Sequence, residues 1–530
     1  MKKNDDKKVK KVLEKFEEAK LSPFLHKCHA LPETRREFMA HGFIGVSSTF
    51  VLPTFLTMLA SSNNAFSQSV ACELPQFSPG LPYICLDASG GMNIAGSNVL
   101  VGMTAEGEHQ EDYGPTTSDY VRLGVSIAEH PKLVGKVESK YGLKFHRTSG
   151  VLEGMKSILD GETMPNNRPI EDGIDGLIFC TRTADDTQTN PINTVFMANK
   201  SGAQGELVQL VGTEATDTGA RSAAPSGEVN LGLRPSTVRT FQDSENLLSV
   251  GGTLSSSEFL NLSNPGGQER IQKFMDRISN MNKSKVVDLS KQTSMDQIKT
   301  VLNCSSENAK TLFQTYTAAQ LNPINDPAVM QVFNGASERV ASVAKLVLDS
   351  IAGAGTITIG GADYHGRGSI LSHTKDVEIG MAIGRCILLA KEKGKNLAIH
   401  LYTDGGVAGD AGGVSEPVTV LGIGAVEKIR WSGDSGTRSS AMLIFYKHDH
   451  DGSSLVKENS SGPRRQIGNF LLNGGVDLST VIGNSTDNLW KAIMLNYLAA
   501  QGREGEFEDI FGRGSLPSEY ESLIRMKPFA

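Results

Sequence analysis

The sequence predicts an α/β protein with a mostly parallel central sheet and helices on both faces. Short apolar runs, each bounded by Gly, Pro, Asp or Ser, alternate along the chain with longer segments of helical periodicity. The short runs are apolar without interruption, which is typical of strands that helices cover on both sides. With 39% hydrophobic and 21% charged residues, the chain has enough apolar side chains for a large core, which excludes global disorder.

Five of the short runs are predicted to be strands, and four longer segments are predicted to be helices. The predicted strands cover residues 81–86, 176–180, 356–359, 397–402 and 441–446. The predicted helices cover residues 268–281, 326–351, 374–393 and 488–501. Ser372 is the expected N-cap of the third helix. Residues 213–267 are rich in Gly, Ser, Thr and Asn, so we expect an irregular loop or cap insertion there.

The N-terminal 67 residues are expected to be an export signal, followed by a single α/β domain over residues 68–530. A long basic stretch ends at the pair Arg35 and Arg36, and Phe38 opens a stretch without charged side chains that reaches residue 72. This arrangement resembles a twin-arginine export signal, because paired arginines precede a modestly apolar segment. An uncleaved anchor or a chance arginine pair is the alternative.

The export signal predicts the partner and the location of the protein. We expect the twin-arginine export machinery to carry the chain to the periplasm or cell envelope of a bacterium, with no permanent membrane span after cleavage. The chain has 52 Lys and Arg against 59 Asp and Glu, a formal net charge of −7. This mild acidity argues against a nucleic-acid partner.

Polar side chains follow the predicted strands, at the positions where parallel sheets bind ligands. Asp87 follows the first strand, Asp363 and His365 follow the third, and Asp404 follows the fourth. Carboxylates that converge at one edge of a sheet need a cation or hydrogen-bond donors to offset their repulsion. Mixed Asp and His ligands suit Zn²⁺ or Mn²⁺, and all-oxygen sets suit Mg²⁺ or Ca²⁺. The alternative at each position is a turn former or helix cap.

Short motifs in this order resemble those of a twin-arginine-exported bacterial family of unknown function that is related to the alkaline phosphatase and sulfatase superfamily. Residues 86–93 are similar to the family's Leu-x-Gly-Gly-x-Asp, and residues 363–365 are similar to its Asp-Thr-His. Residues 403–406 resemble its Thr-Glu-Phe-Gly-Arg, and residues 432–436 stand in the place of its Gly-Thr-Asp-His-Gly. The resemblance implies an alkaline-phosphatase-like fold. It also implies metal ligands at Asp363, His365, Asp404 and Asp434.

The same comparison shows departures that count against catalysis. Asn93 stands where the family has Asp, Ser435 where it has His, and Gly406 where its loop carries Arg. The Cys-x-Pro-x-Arg signature of sulfatases is also absent from the sequence. The conceivable nucleophiles are Ser89, Thr181 and Thr187, and nothing in the sequence chooses among them.

Two functions therefore remain open at the level of the sequence. The first is an exported cell-envelope protein with an alkaline-phosphatase-like fold and a depleted metal site, which has a binding or assembly role with envelope proteins as partners. The alternative is a metal-dependent hydrolase of phosphate or sulfate esters. A purely structural surface protein with an unrelated fold is a third, weaker alternative.

Overall fold

The computed structural model describes residues 80–103, 117–183, 190–247, 316–460 and 462–529. The arginine pair Arg35 and Arg36 and the predicted helix at residues 268–281 lie outside the described residues. The fold is therefore described from residue 80 onward.

Eight strands of the described residues form one central sheet, in the order β16-β4-β13-β8-β1-β7-β5-β6. Seven of them run in the same direction, because only β13 pairs antiparallel, with β4 on one side and β8 on the other. The mostly parallel sheet is therefore confirmed. The strands are β1 (Tyr83–Asp87), β4 (Ile174–Thr181), β5 (Val208–Gly212), β6 (Ser236–Thr237), β7 (Ala352–Thr358), β8 (Leu397–Tyr402), β13 (Ser439–Tyr446) and β16 (Gln466–Ile467).

Smaller two-stranded antiparallel sheets surround the central one. They pair β2 (Val137–Lys140) with β3 (Leu143–His146), β9 (Val407–Gly409) with β12 (Trp431–Asp434), β10 (Ser415–Val420) with β11 (Gly424–Ile429), and β14 (Glu458–Asn459) with β15 (Gly462–Pro463).

The α-helices are mostly short, and the longest follows β7. They are α1 (Thr117–Tyr120), α2 (Gly150–Leu159), α3 (Val195–Lys200), α4 (Phe241–Asn246), α5 (Ala318–Leu321), α6 (Pro327–Phe333), α7 (Glu338–Leu348), α8 (Ser369–Glu392), α9 (Thr486–Ala500), α10 (Phe507–Phe511) and α11 (Tyr520–Leu523). Short 3₁₀ turns lie at Val121–Leu123, Ile127–Glu129, Ile170–Gly173, Leu231–Leu233, Pro323–Asn325 and Glu504–Glu506.

Two helix predictions need correction. The predicted helix at residues 326–351 is two helices, α6 and α7, because Asn334 takes a left-handed backbone conformation with φ of 44° and ends α6. The helix α8 begins at Ser369, before the predicted cap Ser372. Ser372 lies inside the first turn, where its Oγ accepts a hydrogen bond from Nε1 of Trp431 at 2.9 Å.

Hydrophobic cores cover both faces of the central sheet. Along β1, Ile84 and Leu86 belong to one core, whereas Tyr83 and Cys85 belong to the other. Side chains of α2, α7 and α8 fill the first core, and side chains of α3 and α9 fill the second. This alternation explains why the strands read as unbroken apolar runs, since both faces of each strand are buried. Cys85, Cys180 and Cys386 are free and buried, as their apolar surroundings predict.

The first part of the predicted insertion packs against the sheet. Strand β6 adds an edge strand parallel to β5, and the loop before it contains the fully buried Thr213, Ala220 and Ser222. The described part of the insertion, up to residue 247, therefore includes one edge strand of the sheet and a loop with several buried side chains. The rest of residues 213–267 lies outside the described residues.

Candidate functional site

The carboxyl ends of β1, β7 and β8 meet at one edge of the central sheet. Asp87 stands in register with Thr358 of β7 and with Tyr402 of β8. Past the strands, the amide of Ile359 donates to the carbonyl of Asp87 at 2.9 Å, and the amide of Ala88 donates to the carbonyl of Tyr402 at 2.9 Å. We call the segments beyond these strands, residues 87–93, 359–365 and 403–406 with residue 434, the carboxyl rim.

Asp87 is fully buried, and protein donors occupy its carboxylate. The amides of Arg221 and Ser222 donate to Oδ2 at 2.9 and 3.2 Å, and the Ser222 hydroxyl donates to Oδ1 at 2.7 Å. The hydroxyl of Thr358 also donates to Oδ2 at 3.2 Å. Burial raises the pKa of Asp87 to about 6, while the Ser222 hydrogen bonds lower it and the nearby charge of Asp404 raises it. Asp87 therefore anchors the insertion loop to the sheet.

Asp404 is also fully buried and holds the loop that follows β1. Its Oδ1 accepts a hydrogen bond from the amide of Gly90 at 2.5 Å, and its backbone carbonyl accepts one from the side chain of Asn190. The neighbouring Thr403 hydroxyl accepts the amide of Met92 at 2.9 Å. Because two consecutive residues after β8 bind the backbone of residues 90–92, this turn is a clamp on the loop after β1.

Asp363, His365 and Asp434 lie at the more exposed side of the carboxyl rim. The Asp363 Oδ1 accepts the amide of His365 at 3.1 Å, and its Oδ2 lies 3.9 Å from the Arg367 guanidinium. The Nδ1 of His365 lies 2.8 Å from Oδ2 of Asp434, and these side chains are 52% and 34% exposed. Of the predicted ligands, the structure therefore brings His365 and Asp434 into direct contact.

Gly90 brings Asp363 close to the clamp of Asp404. The φ of Gly90 is +118°, and a Cβ built at this position would lie 2.5 Å from Cβ of Asp363. Only glycine fits such a conformation and such a close approach. The loops that carry Asp363 and Asp404 thus meet at Gly90, although the carboxylate of Asp404 is engaged with the Gly90 amide.

The described residues contain no group of three or more His, Cys, Asp or Glu side chains that could hold a metal ion. The rim side chains explain why: Asp87 and Asp404 bind protein donors, and His365 and Asp434 form only a pair. Zn²⁺ is held by three or four protein ligands, whereas Mg²⁺ is often held by one or two carboxylates together with water. Within the described residues, Asp363, His365, Asp404 and Asp434 do not form a set of three or more ligands, and their assignment as metal ligands stays a prediction.

Polar groups without a hydrogen-bond partner among the described residues lie in the loop after β1. They are the hydroxyl of Ser89 and the side-chain nitrogen of Asn93, and both residues are buried. The Oδ1 of Asn93 accepts a hydrogen bond from the hydroxyl of Ser97 at 2.7 Å, so this amide side chain fixes its own loop. Asn93 thus has a structural contact where the similar family has an acidic residue.

A buried ionic network that the sequence did not reveal lies beneath the hairpin β10–β11. The Nζ of Lys428 lies 2.9 Å from Nδ1 of His373, whose Nε2 lies 3.0 Å from a carboxylate oxygen of Glu153. Asp376 accepts the hydroxyl of Tyr364 at 2.5 Å. Burial lowers the pKa of His373 to about 3 and that of Lys428 to about 8, and it raises the pKa of Asp376 to about 6.

This network ties three elements together. Glu153 belongs to α2, His373 and Asp376 belong to α8, and Lys428 belongs to β11. Lys428 is only 8% exposed. The residues are spread over almost 280 positions of sequence, so no spacing pattern signals them. Their arrangement indicates a structural role in fixing the hairpin on the helices.

The sequence His448-Asp449-His450-Asp451 lies away from the carboxyl rim. It follows β13, which is antiparallel to its neighbours, so it stands at the opposite edge of the sheet. Nε2 of His450 lies 2.6 Å from the carbonyl of Ser453, within its own turn. Hydrogen bonds to the side chains of Asn396 and Asn166 also hold this turn in place.

Comparison with known proteins adds no relative. The chain matches no protein-family model, and no curated protein matches its sequence. The resemblance to the alkaline phosphatase and sulfatase superfamily therefore stays a prediction based on the short motifs. Within the described residues, no helix has the length and apolar character needed to cross a membrane.

Proposed function

We propose that the protein is an exported cell-envelope protein with an alkaline-phosphatase-like fold, whose role is binding or assembly. The observation that carries this proposal is the engagement of the buried rim carboxylates. Asp87 accepts hydrogen bonds from the insertion loop, and Asp404 accepts one from the loop after β1. In a hydrolase of this type, acidic side chains at these strand ends would have to be available to metal ions.

The departures from the family motifs point in the same direction. Asn93 carries no negative charge, and its side-chain oxygen accepts a hydrogen bond from Ser97 within its own loop. The backbone amide of Ser435 donates a hydrogen bond to the carbonyl of Gly406 at 2.7 Å, so the two turns that carry these residues are in contact. At the corresponding positions, the family has a histidine and a loop that carries an arginine. These contacts support a fold that has been kept while the metal site has been depleted.

The export part of the proposal is based on the sequence alone. Arg35 and Arg36 make the twin-arginine export machinery the first expected partner and the periplasm or cell envelope the expected location. Replacing both arginines by lysine should retain the chain in the cytoplasm, and cell fractionation would measure it. Export of the variant at the level of the natural chain would contradict this part.

The alternative is a metal-dependent hydrolase of phosphate or sulfate esters, and one observation favours it. The buried hydroxyl of Ser89 has no hydrogen-bond partner among the described residues, and it lies in the loop that Asp404 clamps. A serine in such a loop is the kind of group that attacks an ester. Its activation would require a base or a metal ion, and no base among the described residues is hydrogen-bonded to this hydroxyl.

One experiment separates the two functions. The exported protein is purified, its bound metals are measured, and its turnover of aryl phosphates and aryl sulfates is assayed with added Zn²⁺, Mn²⁺ and Mg²⁺. We expect less than stoichiometric metal and no turnover above the solvent rate. Metal-dependent turnover that Asp363→Ala and His365→Ala abolish, while the exposed Asp449→Ala retains it, would establish the hydrolase instead.

A further inference from the structure

A cleft of about 570 Å³ lies beyond the carboxyl end of β7, beside the carboxyl rim. Its walls are the end of β7, the first turn of α7, one face of α8 and Arg239. The first turn of α7 reaches this edge because α7 runs antiparallel to the strand that follows it. A volume of this size is in the range of clefts that bind small molecules.

Three arginines line this cleft, and two of them have no ionic partner among the described residues. Arg239 donates to the carbonyl of Thr213 at 2.8 Å and to Glu214 at 3.1 Å. Arg339 and Arg385 have no ion pair or hydrogen bond to the described residues, and the Nε of Arg385 is buried without a partner. Burial lowers the pKa of Arg385, because desolvation disfavours its charged form.

The acidic side chains of the cleft do not neutralise these arginines. Glu378 forms an ion pair with Lys375, and Glu338 accepts the amide of Phe241 at 3.3 Å. Glu338 keeps its own negative charge, so the three arginines and two glutamates that line the cleft leave it a net charge of +1 (3 − 2). The buried Nε of Arg385 has no partner among the described residues, which is unfavourable, and a bound anion would offset this cost. Arg339 is exposed and adds its charge at the mouth of the cleft.

The first turn of α7 adds a weaker contribution of the same sign. The preceding residue, Ser337, has a left-handed backbone with φ of 49°, and its side chain does not cap the helix. Ser337, Glu338, Arg339 and Val340 all line the cleft. The uncapped start of a helix carries a partial positive charge, which favours an anion nearby.

The remaining wall is apolar. Val340 comes from α7, Ile357 from β7 and Met381 from α8, and all three line the cleft. We propose that this cleft binds a small organic anion with an apolar body, whose anionic group lies between Arg339 and Arg385 and whose body packs on this wall. This site is separate from the clamp of Asp404, so the proposal goes beyond the proposed function and stands whether or not the carboxyl rim is catalytic.

Octyl phosphate is a suitable probe, because it joins a phosphate group to a short alkyl chain. Isothermal titration calorimetry would measure its binding to the purified protein below its micelle concentration, with octyl glucoside as the neutral counterpart. We expect octyl phosphate to bind, its affinity to fall with added salt, and octyl glucoside to bind at least tenfold more weakly.

Variants locate the binding site. Arg385→Gln should weaken octyl phosphate about tenfold or more, since it removes a charge-assisted hydrogen bond. Arg339→Gln, at the exposed start of α7, should also lower the affinity for octyl phosphate. This variant tests the proposal if Arg385→Gln fails to fold. Arg513→Gln, at an exposed arginine after α10, is the matched control and should leave the affinity unchanged.

Two results would overturn the proposal. Equal affinity of Arg339→Gln, Arg385→Gln and Arg513→Gln for octyl phosphate would place the binding elsewhere. Equal affinity of the natural protein for octyl phosphate and octyl glucoside would show that the cleft does not select an anion.

Discussion

The carboxyl rim and the neighbouring arginine-lined cleft lie at the same edge of one sheet. They differ in whether protein groups form hydrogen bonds with their charged side chains. At the rim, the buried carboxylates of Asp87 and Asp404 accept hydrogen bonds from loops that are distant in sequence. In the cleft, Arg339 and Arg385 have no hydrogen bond to the described residues. The hydrogen bonds at the rim hold loops to the sheet, whereas the arginine charges of the cleft are available to a ligand.

This difference teaches where to look for binding. Removing a buried acceptor leaves its donors without a partner and destabilises the protein, whereas a buried donor that the protein leaves unpaired is unfavourable until a ligand binds it. Substitutions at the rim should therefore act mainly on the free energy of unfolding. Substitutions in the cleft should act mainly on ligand affinity.

Asp87→Ala should have the largest effect on stability. The substitution leaves the amides of Arg221 and Ser222 and the hydroxyls of Ser222 and Thr358 without their acceptor inside the protein. Near pH 5, where the carboxyl is largely protonated, we expect the free energy of unfolding to fall by about 3 kcal/mol or more. Urea unfolding followed by circular dichroism would measure the change.

The control for this prediction is Asp363→Ala at the same rim. The side chain of Asp363 is 42% exposed, so its removal should change the free energy of unfolding by no more than about 0.5 kcal/mol. Similar losses in the two variants would show that Asp87 is not an anchor of the insertion loop.

The pH dependence of stability sharpens the assignment of Asp87. Burial raises its folded-state pKa to about 6 from its ordinary value of 3.8, so the folded protein holds this proton more tightly than the unfolded chain. The stability from this group is fully present below about pH 3.8 and is lost as the pH rises through 6. The loss should approach about 3 kcal/mol, since one pKa unit corresponds to about 1.4 kcal/mol.

Asp87→Asn isolates this contribution, because the amide does not titrate. The free energy of unfolding of the natural protein, minus that of the variant, should decrease between about pH 4 and pH 6.5 and be level above pH 7. A difference that stays constant across this range would mean that Asp87 titrates at its ordinary pKa.

The strands and the edge at which they meet could be predicted from the sequence. Both faces of these strands are buried in hydrophobic cores, so each strand is visible in the sequence as an unbroken apolar run. All five predicted strands are found in the central sheet. Three strands of the central sheet are absent from the prediction: β5, which has five residues, and the very short β6 and β16, in which two residues carry no periodicity. The break at Asn334 was missed because a single left-handed residue leaves the apolar pattern of the two helices continuous.

The contacts at the rim could not be predicted, because they join segments far apart in sequence. The donors to Asp87 come from residues 221 and 222, in a segment whose polar composition predicts only a loop. The direction of the loop after β1 depends on the positive φ of Gly90, which the two adjacent glycines indicate only weakly. The arginines of the cleft come from three separate segments, so no spacing identifies them.

Arg385→Met should not destabilise the protein, and it tests the other half of the comparison. Methionine keeps the length and helix propensity of the side chain but removes a partly buried charge that has no described partner. We expect the free energy of unfolding to stay the same or to rise by up to about 1 kcal/mol. Arg465→Met is the contrasting variant, because Arg465 pairs with the buried Asp175 at 2.8 Å, and its loss should cost about 3 kcal/mol. If Arg385→Met destabilises the protein as much as Arg465→Met does, Arg385 has a structural partner, and the distinction between the rim and the cleft fails at this residue.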